Sequence, residues 1–114
     1  MTKTKEIKDT VNELGVEVGM VTCCSYWTDR YPAKVIAVTS KTFTIVRVNR
    51  GKNKEQYPAQ DWEIEWNNVV SNPIKVYNTK RGLRGQGGSL KVGKPCKLEE
   101  VECPGCLAYE DPHF

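Results

Sequence analysis

Two alternating runs dominate the chain, Ala33–Thr39 and Thr42–Asn49, joined by the turn Ser40-Lys41. In the first, Val35 and Ala37 fall on one side, and Lys34, Ile36 and Val38 on the other. In the second, Phe43, Ile45 and Arg47 share one side, and Thr44, Val46 and Val48 the opposite one. A period of two is that of an extended strand. Both sides carry apolar residues, so the spacing predicts a hairpin covered on both faces. The sharpest alternation comes later, where Trp62, Ile64 and Trp66 interleave with Asp61, Glu63, Glu65 and Asn67. Ile74–Asn78, entered through Ser71-Asn72-Pro73, predicts another strand. Glu17–Cys24 reads as a strand bent at Gly19, and Ser89–Val92 and Lys97–Glu102 as short closing strands. Ser25–Pro32, Asn49–Tyr57 and the glycine-rich Arg81–Gly88 read as loops.

One segment has helical spacing. Ile7, Val11 and Leu14 form a single apolar stripe over Thr4–Leu14, with Thr2 or Thr4 as N-cap and Gly15 after the last turn. The expectation is a helical lid over residues 1–15 on a barrel over residues 16–114, in one domain. Short strands separated by turns, with few helices, place the fold in the all-β class as a small barrel of about five to seven short strands with one N-terminal helix.

Composition narrows the setting. The 114 residues are 39% hydrophobic and 27% charged, as in a folded domain of modest core. No apolar run approaches the roughly 20 residues that cross a bilayer, so no membrane partner is expected. The N-terminal ten residues lack the apolar centre of a secretory signal, and the expected location is a cytoplasm. In a reducing compartment the five cysteines read as free thiols or metal ligands. In Cys103-Pro104-Gly105-Cys106, Pro-Gly turns the chain so that two thiols meet, which suits half a zinc site or a redox pair. Cys96 is the candidate third zinc ligand, and Cys23, Cys24 or His113 the fourth.

The net charge of +3 says less than its distribution. Lys75 to Lys97 holds seven basic residues and no acid, Glu55 to Trp66 four acids and no base, and Leu98 onward five acids and no Lys or Arg. Such segregation favours anionic ligands or self-association, and a homo-oligomer is expected. Tyr26, Trp27, Asp29, Arg30 and Tyr31 gather three aromatic rings, a carboxylate and a guanidinium in six positions, a set that stacks a base and holds a phosphate. Arg81 and Arg84 in the glycine-rich segment, together with Arg47, are further candidate phosphate ligands. That segment matches neither a P-loop nor a dinucleotide fingerprint. His113 is the sole histidine, and no motif places a nucleophile beside it, so no catalytic residue is assigned.

Gly19, Tyr26, Trp27, Asp29, Tyr31, Ala33, Lys34, Val35, Ile36 and Ile45–Val48 follow the order of an SH3-like barrel of Tudor-like form, which the chain resembles over about a third of its length. That resemblance implies an SH3-like barrel, and its aromatics imply a cage for a methylated cation. More closely, Tyr-Trp-Thr-Asp-Arg-Tyr-Pro-Ala (26–33), Glu-Gln-Tyr (55–57), Thr-Lys-Arg-Gly (79–82) and Tyr-Glu-Asp-Pro-His-Phe (109–114) resemble a group of small, uncharacterised phage and prophage proteins. This implies a phage origin. The expectation is a non-enzymatic anti-defence protein that sequesters an anionic nucleotide-type ligand. The alternatives are an inhibitor that binds a host defence enzyme, and a zinc-stabilised nucleic-acid-binding module using the Lys75–Lys97 segment.

Overall fold

Seven runs of β-prone residues form seven strands, and the structure, a computed structural model, describes residues 12–26, 29–56 and 59–109. The strands are β1 (Val21–Tyr26), β2 (Asp29–Val38), β3 (Thr42–Asn53), β4 (Trp62–Val69), β5 (Ile74–Thr79), β6 (Gly82–Gly85) and β7 (Leu90–Val92). Every pairing is antiparallel. The order is β2-β1-β7-β6-β5-β3, and β3 returns to β2, so six strands close a barrel while β4 lies outside it on β3. Closure leaves no free edge on those six strands.

The interior is filled by the side of each strand that the alternation marks as apolar: Cys24, Ala33, Val35, Phe43, Ile45, Ile74, Val76, Leu90 and Val92, with Val16 plugging one end. On the opposite side of β3, Val46 and Val48 are also buried, as expected for a hairpin covered on both faces. The β2–β3 register slips between Val35 and Ala37, and this bulge leaves Ile36 40% exposed. Past Val48, β3 leaves the barrel and pairs with β4 as a two-stranded ribbon, again with register slips. Gly51 bends this ribbon at φ +74°, where a Cβ would run into the Glu63 carbonyl.

The expected helix over Thr4–Leu14 lies outside the described residues up to residue 11. From Asn12 the chain is a turn instead. The Asn12 side-chain oxygen accepts from the Leu14 and Val16 N–H groups, both at 2.9 Å, and its amide donates to the Thr42 carbonyl at 3.1 Å. A buried Asn with these bonds satisfied ties the chain entry to the β2–β3 turn. Among the described residues the only helical pieces are single 3₁₀ turns at Gln86–Gly88, Leu98–Glu100 and Pro104–Leu107. The strand expected over Lys97–Glu102 is therefore a 3₁₀ turn.

Candidate functional site

The expected loop over Ser25–Pro32 is instead a strand pair, with Cys24 opposite Tyr31, Ser25 opposite Arg30 and Tyr26 opposite Asp29. Strand parity then divides the candidate ligand set between two surfaces. Tyr26 and Tyr31 pack against the barrel core, on the side of Cys24 and Ala33. Arg30 lies on the outer wall and is exposed. The glycine-rich segment divides likewise. Gly82–Gly85 is strand β6, with Leu83 against the core and Arg84 outward, while Arg81 sits exposed at the β5–β6 turn. Trp27 lies outside the described residues.

The inner surface is a cation–aromatic cluster at the barrel mouth. The Arg47 guanidinium lies 4.1 Å from the Tyr31 ring centroid, and that of Arg50 lies 5.9 Å from Tyr31 and 5.0 Å from Trp62. Arg47 Nε and Arg50 Nη1 are buried atoms with no hydrogen-bond partner. Among the described residues the sole ion pair is Lys54–Asp61 at 3.8 Å, so the rings, rather than carboxylates, hold these guanidiniums. Their charge stays uncompensated, and buried donors without acceptors are unfavourable unless something accepts from them. Cys24 lies beneath. Burial pushes its thiol up to about 11, against the opposing pull of Arg47. Arg50 and Trp62 enter this cluster although the sequence pattern assigns Arg50 to a loop and Trp62 to core or interface. The signal that unites them is the bend of β3 at Gly51.

The outer surface is a row in register. Tyr77, Arg84, Lys91, Ser25 and Arg30 are successive cross-strand partners over β5, β6, β7, β1 and β2, and Arg30 bridges on to Tyr109. Arg30 and Arg84 are thus three strand spacings apart, roughly 14 Å along a flat sheet. The Arg30 guanidinium lies 5.0 Å from the Tyr109 ring centroid. Burial also raises the Cys23 thiol, with Arg30 opposing it from the same outer side.

A C-terminal strap crosses beside the mouth. Its Pro104–Leu107 turn seats buried Gly105 on the start of β4, where a Cβ would lie 2.6 Å from the Trp62 carbonyl oxygen and 2.7 Å from its nitrogen. The Cys106 carbonyl accepts from Arg30 Nε at 3.3 Å. Cys103 and Cys106 are joined to each other as a disulfide, so their sulfurs are not thiolate ligands. Cys96 sits apart from them, its backbone paired with Val21 of β1. The expected zinc set of Cys96, Cys103 and Cys106 is therefore not assembled, and among the described residues no three His, Cys, Asp or Glu form a metal cluster. His113 lies outside the described residues.

The described surface also carries an open groove of about 310 Å³ lined by Glu17–Met20 and Lys97–Glu99. It contains neither an aromatic ring nor an arginine and is separate from the mouth. Trp62 and Trp66, candidates for an exposed protein-binding face, are both half-buried. No helix among the described residues is long and apolar enough to cross a membrane. No protein-family model, curated protein or solved structure matches the chain.

Proposed function

We propose that this chain is a non-enzymatic phage accessory protein of the host cytoplasm that binds and sequesters an anionic nucleotide-type ligand, acting against a host defence. The observation that carries the reading is the pair of unpartnered donors, Arg47 Nε and Arg50 Nη1, beside the Tyr31 and Trp62 rings. A phosphate entering the mouth meets guanidiniums that no carboxylate neutralises, so binding breaks no ion pair. Tyr26, Tyr31 and Trp62 supply ring faces for a base.

Arg30, Arg81 and Arg84 serve this mouth only from a neighbouring copy, because their own strands direct them to the outer wall or its turn. A homo-oligomer is therefore part of the reading. It is supported by Val69 and Val70, which are 47% and 51% exposed at the end of β4. We further read the barrel as SH3-like, on the order of Gly19, the β1–β2 hairpin and Ala33-Lys34-Val35-Ile36.

Thermal-shift and calorimetric screening of cyclic and linear nucleotides, with inorganic phosphate alongside, tests the proposal. The expected result is stabilisation by at least one nucleotide, approaching ~2.7 kcal/mol at a hundredfold excess over Kd. No stabilisation by any nucleotide, at protein concentrations that detect micromolar binding, overturns it.

A further inference from the structure

The outer wall is organised independently of the mouth. Tyr77, Arg84, Lys91, Ser25, Arg30 and Tyr109 occupy one continuous cross-strand row. Parity makes all six face outward. Val76, Leu83, Leu90, Cys24 and Tyr31, their chain neighbours, face the core. Three cations stand between two tyrosines, and the row contains no acid. Arg84 and Lys91 are direct cross-strand partners, an arrangement of like charges that disfavours the sheet. Departures of this kind from local stability rules are expected where a surface serves a ligand.

Further cations flank the row. Lys75 lies two residues before Tyr77 on the same face of β5, with its Nζ 5.9 Å from the Tyr77 ring centroid. Lys80 and Arg81 are exposed at the adjoining turn, and Arg84 Nη2 donates to the Arg81 carbonyl at 3.2 Å. Tyr77 is 51% exposed, so a large aromatic face is presented to solvent beside Arg84.

We propose that this row is a binding track for single-stranded nucleic acid. Arg30, Lys91 and Arg84 contact successive phosphates, and Tyr77 stacks a base at one end of the row. Aromatic rings interleaved with cations on an exposed sheet face suit a single strand, whose bases are free to stack and whose phosphates need only a positive path. Five strand spacings from Tyr77 to Tyr109 give roughly 24 Å, room for about four to six nucleotides.

Fluorescence anisotropy with labelled dT12 and rU12, from 50 to 300 mM salt, tests the track. With about three phosphates contacted, the slope of log K against log salt is expected near −2. Arg84→Gln and Lys91→Gln each weaken binding about tenfold and each reduce the slope by about 0.7. Tyr77→Ala weakens binding about tenfold and leaves the slope unchanged. Lys52→Gln, on the β3–β4 ribbon, changes nothing. Arg47→Met also changes nothing, which separates this track from the nucleotide mouth. Far-UV circular dichroism confirms that each variant keeps its strands. Absence of binding at 50 mM salt overturns the proposal, as does binding whose salt slope survives both neutralisations. Equal affinity for a duplex of the same length, with Tyr77→Ala silent, also overturns it.

Discussion

Arg30 and Tyr109 exchange both backbone hydrogen bonds, at 2.7 and 2.9 Å. Tyr109 thereby takes the place of a further strand beside β2, at the point where β3 has already turned away. The strap is fixed at this end by Arg30 and at its turn by Gly105 on Trp62.

Gly105→Ala places a methyl group where the Trp62 backbone stands, and backbone cannot yield as a side-chain tip can. The expected loss of unfolding free energy is about 1 to 3 kcal/mol. Urea denaturation reads it, and unchanged stability would mean that the strap is not seated on β4.

Arg47→Met removes the guanidinium over Tyr31 but keeps an unbranched stem in the same space. No carboxylate loses a partner, so the free energy of unfolding should change by less than about 1 kcal/mol. Nucleotide affinity should fall at least tenfold. A variant that unfolds while keeping its affinity would assign Arg47 to structure alone.

Cys24 supplies a pH dependence. Its thiol is raised to about 11 by burial, whereas an unfolded cysteine titrates near 8.5. The folded protein keeps a proton that the unfolded chain releases. Stability is therefore fully present below about pH 8.5 and falls as pH rises toward 11, by on the order of 2 to 3 kcal/mol. Thermal melts from pH 7 to 11 should show this decline, and Cys24→Ala should flatten it. At pH 7.5, Cys24 should resist alkylation unless the protein is denatured.

Reduction of Cys103–Cys106 should loosen the strap without opening the barrel. The loop closed is so short that its contribution is only ~2 kcal/mol. Hydrogen exchange should rise over residues 103–109 and at Arg30, while the β1–β3 core keeps its protection. Accelerated exchange throughout the barrel would show the strap to be integral to the core. Chelators should change neither pattern.

Alternation made much of the barrel legible before the structure. Phe43 and Ile45, Trp62 and Ile64, and Ile74 and Val76 all stand on strands whose period of two marks them. The β1–β2 hairpin was not legible, because Ser25 to Pro32 is polar, aromatic and interrupted by proline. Its extended form comes from pairing with β1, and buried Pro32 is accommodated opposite Cys23. This error decided the site: read as a loop, Arg30 and Tyr31 converge, but as strand neighbours they face apart. The outer row was equally hidden. Its members are scattered from Ser25 to Tyr109, and only closure through β7 brings Lys91 between Arg84 and Ser25.

β4 stands outside the closed barrel, joined to it through the far end of β3. The ribbon can therefore change length without disturbing closure, since the six barrel strands have completed their pairing before Gly51. Residues inserted between Asn53 and Asp61 lengthen an appendage while the staves stay in place. The mouth, roofed by Trp62 from that appendage, can be reshaped from one side while Tyr31 and Arg47 stay anchored in the wall. The fold thus separates a constant half of the binding mouth from a half that is free to vary.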